Sequence, residues 1–251
     1  LSEVQKKAGV VTHSSGNFGQ ALALAAKNLG VNAYIVMPSS APAVKIEAVK
    51  SYGGLVTITE PTLEAREKSA ANIVAEKGAV FLHPSNDMNV IVGQGTAALE
   101  LLQDQPGLEY IMSPVGGGGL IAGTALSAHY LGNNCRVIGG EPMEVDDAYR
   151  AFKSGKIEYN TSTDTIADGL KTNLGDINFP IIMELVSDII RVEEGEIVNA
   201  MKLIWERMKL VIEPSSAVPF AALLKEREKF KNKKVGIILS GGNVELSNLP
   251  F

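Results

Sequence analysis

Residues Tyr110–Leu131 read YIMSPVGGGGLIAGTALSAHYL. Tyr110–Val115 has the short apolar run of a buried strand, and Leu120–Leu131 has the apolar period of a helix. Between them stand Gly116–Gly119. A strand that enters a helix through a tight glycine turn is the repeating unit of a parallel sheet covered by helices. Four successive glycines leave their backbone N–H groups unshielded by Cβ atoms, and the following helix N-terminus adds partial positive charge. Such a loop suits a phosphate group. A flexible tight turn is the plainer alternative, but four glycines in a row cost much backbone entropy. A dinucleotide fingerprint is excluded by spacing. In the two registers of G-x-G-x-x-G, Ile121 or Ala122 occupies the third glycine position, and Gly123 falls too late. No lysine follows as in G-x-x-x-x-G-K-[ST]. The ligand is therefore expected to be a small phosphorylated cofactor.

The same strand-and-helix rhythm extends in both directions. Upstream, strands are expected at Gly9–Thr12, Ala33–Met37, Leu55–Thr59 and Ala79–His83, with helices at Asn17–Leu29, Pro42–Tyr52 and Leu63–Lys77. Downstream, helices are expected at Val90–Leu102, Asp146–Lys153, Ile181–Val186, Glu196–Met208 and Ser215–Phe230. Strands are expected at Arg136–Gly139, Ile189–Val192 and Lys234–Leu239. Asn160–Pro180 is poor in periodic pattern and reads as a long functional loop. The fold class is α/β, with two doubly wound domains built on parallel sheets. The expected division is a small domain over residues 9–85 and a large one over residues 86–251. Residues 1–8 are expected to be a remnant of the large domain.

The chain has 251 residues, 45% of them hydrophobic and 20% charged, which is enough for a sizeable core. A net charge of −5 argues against a nucleic-acid surface. No apolar run is long enough for a membrane helix, and the polar start carries no secretory pattern. The lone Cys135 cannot form an internal disulfide, so a reducing compartment is expected.

Two further strand ends carry chemistry. Ser14–Gly19 (SSGNFG) opens a helix, and its hydroxyls, amide and N–H groups can hold a carboxylate. Ordinary helix capping by Ser or Asn explains it equally well. Ser240–Asn243 (SGGN) follows a buried strand, where a serine hydroxyl can meet a ring nitrogen or simply cap a turn. Glu141 and Asp147, in EPMEVDD, could make a hard oxygen site for Mg2+ or Ca2+ together with the Val145 carbonyl and waters. A solvated acidic helix start capped by Asp146 is the alternative.

Taken together and in this order, these loops resemble the fold type II pyridoxal phosphate enzymes, in particular the serine racemase and serine/threonine dehydratase group. The stretches that carry the likeness are VVTHSSGNFGQALALAAKNLG, AYIVMPSSAP, GQGTAALEL, SPVGGGGLIAGTA, GGEPMEVDDAY, TIADGLKTN, WERMKLVIEPSSAV and IILSGGNVEL. They span nearly the whole chain. The resemblance implies a tryptophan synthase β-like fold and pyridoxal 5'-phosphate as cofactor. Gly116, Gly117, Gly118 and Gly119 would hold the phosphate, and Asn17 the ring oxygen. Ser240 would meet the pyridine nitrogen, with Glu213 near the ring and Asn243 supporting the site. Ser14, Ser15, Gly16, Asn17 and Phe18 would grip the substrate carboxylate, and Ser15 would act as acid and base. Glu141, Val145 and Asp147 would hold the divalent cation, Mg2+ or Ca2+.

The implied activity is racemisation of serine with serine/threonine dehydration, by α-proton abstraction from an external aldimine. Threonine dehydratase proper, or a noncatalytic phosphate-binding relative, are the alternatives. The implied partners are serine and threonine, with no nucleic acid and no membrane. A homodimer and a cytoplasmic location go with the family. Three departures stand out. Phe18 replaces the usual histidine, Ser85 an asparagine, and no lysine occupies the family's Schiff-base motif. Lys6 and Lys7 lie in a polar stretch before the first strand. The expectation is a truncated chain that is inactive as given, whose complete form carries that lysine upstream.

Overall fold

The computed structural model describes all of residues 1–251. The chain divides into two compact units, Leu1–Pro84 and Ser85–Phe251.

The first unit begins with α1 (Glu3–Ala8), followed by β1 (Val10–His13), α2 (Asn17–Asn28), β2 (Ala33–Pro38) and α3 (Ala43–Ser51). It continues with β3 (Leu55–Thr59), α4 (Leu63–Lys77) and β4 (Val80–Phe81). The strand order is β3-β2-β1-β4, with every pair parallel. Val10, Ile35, Met37 and Val49 build the core on one face, while Val11, Val36, Ala70 and Ala79 build it on the other. The β-branched runs are buried on both faces because parallel sheets carry helices on both. The chain moves outward from β1 to β3 and then returns to β4 on the other side of β1. That reversal makes the carboxyl end of β1 a topological switch point, where α/β sheets bind ligands.

Helix α1 departs from the polar stretch expected there. It lies in the same compact unit as β1. Its start is a capping box. Gln5 N–H donates to Ser2 Oγ at 3.3 Å, and Ser2 N–H donates to Gln5 Oε1 at 2.7 Å. The S-x-x-Q spacing was readable in the sequence, but α1 buries no residue, so no apolar period marked it.

The second unit contains α5 (Met88–Asp104), β5 (Tyr110–Pro114), α6 (Gly119–Leu131), β6 (Arg136–Pro142), α7 (Asp147–Ser154) and α8 (Asn178–Leu185). It closes with β7 (Val186–Val192), α9 (Glu194–Met208), α10 (Pro214–Lys225) and β8 (Val235–Ile237). The strand order is β7-β6-β5-β8, again all parallel. One face is packed by Met201, Ile204, Val218 and Ala222 of α9 and α10, the other by Ile121, Ala125 and Ile182 of α6 and α8. Each fully buried side chain such as Ile111 or Ile138 contributes roughly 1.5–3 kcal/mol by leaving water.

Among the boundaries that differ from the sequence expectation, three have a plain physical reason. Helix α8 starts at Asn178, before Pro180, because a proline in the first helical turn forfeits no intrahelical hydrogen bond. Consequently β7 takes over at Val186, and the long loop ends before Asn178. Helix α10 stops at Lys225, where the charged EREKFKNKK run offers no continuing apolar face. Strand β6 runs through Gly139 and Gly140 to Pro142, because Gly140 lets the backbone of α10 approach: a Cβ there would lie 3.0 Å from Pro219 Cα.

Candidate active site

Strands β5 and β8 are hydrogen-bonded neighbours, with Tyr110 opposite Val235 and Met112 opposite Ile237. The chain reaches β8 only after passing outward through β6 and β7, so the β5/β8 boundary is the switch point of this sheet. Gly116–Gly119 follow β5 and Ser240–Asn243 follow β8, so topology sends both loops out at the carboxyl end of adjacent strands.

The glycine loop is buried and tightly enclosed. A Cβ on Gly116 would lie 2.8 Å from Leu170 Cα, which is backbone and cannot yield. Gly118 has φ +84° and is the N-cap of α6, so the capping residue itself brings no side chain to the helix start. A left-handed residue is comfortable there only as glycine. The capping residue thus occupies none of the first N–H groups of α6, an arrangement that can receive an anion. Asn178 closes the loop from behind. Its Nδ2 donates to the Gly117 carbonyl at 2.8 Å and to the Ser85 carbonyl at 3.0 Å, and its Oδ1 accepts from Gly175 N–H at 3.1 Å.

Ser240 is held by α10. Its Oγ lies 3.1 Å from Ser216 Oγ, which also contacts the Gly241 carbonyl and N–H, each at 2.7 Å. Glu213 is buried at the N-cap of α10, and its N–H donates to the Gly241 carbonyl at 3.1 Å. Asn243, half-buried, lies in the same return. Gly116–Gly119, Glu213, Ser240 and Asn243 therefore share one unit and one end of its sheet.

The carboxylates of EPMEVDD separate into two roles. Asp146 does not cap α7 with its side chain. It forms 2.7 Å ion pairs with both Arg150 and Arg191, which hold it below its ordinary pKa against the pull of burial. Glu141 receives N–H donors from Ala148 at 2.9 Å and Tyr149 at 2.7 Å, so it is Glu141, from β6, that caps the helix. Asp147 accepts from Leu174 N–H at 3.2 Å and from the Asn160 amide. Glu141, Val145 and Asp147 are all fully buried. Burial, and then the Asp147 charge, push Glu141 well above the usual carboxylate range, and burial pushes Asp147 up to about 6. Neither belongs to an ion pair. A buried pair of this kind, both held back from ionising, fits the two-carboxylate part of a hard-cation shell. No cluster of three or more His, Cys, Asp or Glu side chains is present, so the other ligands would be carbonyls and water.

Ser14, Ser15, Gly16, Asn17 and Phe18 lie in the first unit, between β1 and α2. Gly16 is the N-cap of α2, so the capping residue itself brings no side chain to the helix start, and Asn17 is the first helical residue. Ser14 is buried, and its Oγ accepts weakly from Gly16 N–H at 3.4 Å. His13, the last residue of β1, stacks near Phe81 and meets His83 edge-on, with centroids 5.4 and 5.5 Å apart. Burial, then the His83 and Arg66 charges, push His13 down to about 4.

Sequence reasoning missed Asn178, Ser216 and Asn160. Ser216 stood in the quoted EPSSAV stretch and was readable as a polar pair at a helix start. Asn178 and Asn160 lay inside a patternless loop, and their partners are distant in sequence.

Comparison with known proteins agrees with this geometry. The sequence family described as "Pyridoxal-phosphate dependent enzyme" matches residues 1–241. Serine racemase of Dictyostelium discoideum is 49% identical over 253 residues, covering 99% of this chain and 78% of that protein. Its crystal structure superposes with TM-score 0.92, covering 98% of this chain and 80% of that one. Maize serine racemase gives TM-score 0.95 at 44% identity, covering 98% and 77%. The β-hydroxyaspartate dehydratase of Paracoccus denitrificans is 46% identical over 251 residues, covering all of this chain and 80% of that protein. The glycine cradle, the serine at the end of β8 and these likenesses together make this chain a member of the fold type II pyridoxal phosphate enzymes, within the serine racemase and dehydratase family.

Proposed function

We propose that the protein racemises serine and dehydrates serine and threonine. The observation that carries the reading is the N-terminus of α6, capped by Gly118 within the four buried glycines Gly116–Gly119, beside a strand followed by a neutral Ser240. Pyridoxal phosphate, when bound, supplies the electron sink that makes the α-carbon of an amino acid acidic. The backbone N–H groups of Gly116–Gly119 would hold its phosphate. Ser240 Oγ, fixed by Ser216, would face the ring nitrogen. A hydroxyl there does not compel protonation of the nitrogen as a carboxylate would, which suits proton exchange and elimination of a β-hydroxyl. Asn17 would orient the ring oxygen, and the glycine-capped start of α2 would bind the substrate carboxylate. Ser15 would carry the proton on and off the α-carbon. Glu213 and Asn243 would buttress the ring side. Glu141, Asp147 and the Val145 carbonyl would hold Mg2+ or Ca2+ away from the reacting atoms.

Lys6 and Lys7 stand in the exposed α1, and no lysine here has the family's Schiff-base context. Residues 1–251 alone are therefore expected to bind the cofactor noncovalently without turnover. The β-hydroxyaspartate relative makes a hydroxylated dicarboxylic amino acid a second candidate substrate. A homodimer and a cytoplasmic location accompany the reading. No helix is long and apolar enough to cross a membrane.

The test incubates the protein, at its full natural length and as residues 1–251, with L-serine, L-threonine and β-hydroxyaspartate. D-serine, pyruvate, 2-oxobutanoate and oxaloacetate are measured with and without Mg2+. The protein at its full natural length should release D-serine and pyruvate and show an absorbance band that borohydride abolishes. No product from that form overturns the proposed activity, and steady pyruvate release by residues 1–251 overturns the expected inactivity.

A further inference from the structure

We propose that Asn178 is a positioning residue for the phosphate loop, setting the direction in which the Gly118 N–H points. The proposal rests on the cofactor reading above. Asn178 is fully buried at the first turn of α8. Its amide is spent entirely on backbone. Nδ2 bridges the carbonyls of Gly117 and Ser85, at 2.8 and 3.0 Å, and Oδ1 takes the Gly175 N–H at 3.1 Å. Three stretches distant in sequence are tied by one side chain.

The consequence follows from peptide geometry. In a trans peptide the carbonyl of one residue and the N–H of the next point in opposite directions. All peptide bonds in this chain are trans. Pinning the Gly117 carbonyl against Asn178 therefore turns the Gly118 N–H away from Asn178. The side away from Asn178 is where the loop's anion would sit. Glycine on both sides of this peptide gives it wide freedom to rotate, and a rotated peptide would present a carbonyl oxygen, which repels a phosphate. Asn178 removes that freedom. It also packs directly on the loop, since a Cβ on Gly118 would lie 2.7 Å from Asn178 Oδ1. An aspartate would keep the shape and the acceptor for Gly175 but lose the donor to Gly117 and Ser85. Its charge would itself weaken the hold on an anion, so the uncharged Asn178→Ala separates the lost donor from the added charge.

The test measures affinity for pyridoxal 5'-phosphate and for pyridoxal, by absorbance and fluorescence titration, in the parent protein, Asn178→Asp and Asn178→Ala. Circular dichroism and the melting temperature report folding. The expected result is about a tenfold or greater loss of affinity for pyridoxal phosphate. Pyridoxal affinity should change less than threefold, and inorganic phosphate should compete less well in the variants. A residue that only stabilises the fold would weaken both ligands alike. If a folded variant keeps the parent's ratio of the two affinities, the proposal is overturned. Should Asn178→Ala not fold, Asn178→Asp decides it, and Asn178→Gln, which keeps the donor, should recover part of the ratio. A parent protein that binds neither ligand would overturn the cofactor reading itself, and the proposal with it.

Discussion

At the scale of single residues, the cradle is defined as much by what is missing as by what is present. Gly118 sits at φ +84° and caps α6 without a side chain. Alanine there would meet Asn178 Oδ1 and Leu174 Cδ2, each at 2.7 Å, in a backbone conformation that L-residues avoid. Gly118→Ala is therefore expected to destabilise the fold by about 1–3 kcal/mol and to weaken pyridoxal phosphate binding about tenfold or more. Chemical denaturation and cofactor titration check the two effects. An alanine variant with parental affinity would show that the loop tolerates a Cβ and that the cradle lies elsewhere. Phe18, half-buried at the start of α2, replaces the histidine usual in the resemblance. Its apolar ring would offer no proton at the proposed substrate loop.

At the scale of elements, the start of α7 carries two kinds of carboxylate. Asp146 is neutralised by Arg150 and Arg191, the latter stacked 4.0 Å above the Tyr149 ring. Glu141 and Asp147 point inward with raised pKa values. A carboxyl whose folded pKa lies above its unfolded one binds more protons folded than unfolded between those values. Its contribution to stability is therefore lost as pH rises through that window. For Asp147 the window runs from the ordinary value of 3.8 to about 6. A divalent cation that needs the charged forms should bind and stabilise more above this window than below it. The expected outcome is a Mg2+-dependent rise in melting temperature that is larger at pH 7.5 than at pH 5. Glu141→Gln should abolish the rise. An undiminished Mg2+ effect in that variant would place the cation elsewhere.

At the scale of the molecule, the two units are expected to answer acid differently. His13 belongs to the first unit and is held neutral, with a pKa pushed down to about 4. A histidine with a lowered folded pKa binds fewer protons folded than unfolded. Its contribution is present above the unfolded value of 6.5 and is lost as pH falls from there toward 4. The single tryptophan, Trp205, lies in the second unit, where its Nε1 donates to the Ile212 carbonyl at 3.0 Å. On lowering pH from 7 to 4.5, far-ultraviolet dichroism should therefore report a drop in melting temperature for part of the helical signal. Trp205 fluorescence should not follow that drop. His13→Phe, which keeps a ring beside Phe81, should remove the acid-sensitive part. Loss of the two signals together would show that His13 does not set the acid response.

Much of this was legible in the chain itself. Local pattern is enough to place a strand such as Leu55–Thr59 or a helix such as Leu63–Lys77, whose ends fell where apolar period and a closing Gly78 put them. The Gly116–Gly119 turn, the serine after β8 and the paired carboxylates were visible because backbone freedom and donor type are properties of the residues alone. Tertiary structure decided the rest, since long-range partners leave no local signature. It put β8 beside β5, bringing the serine and glycine loops to one end of one sheet. It made Glu141 rather than Asp146 the cap of α7, and it closed Asn178 onto a carbonyl 61 residues away. Burial, which only the fold creates, moved the pKa values of His13, Glu141 and Asp147.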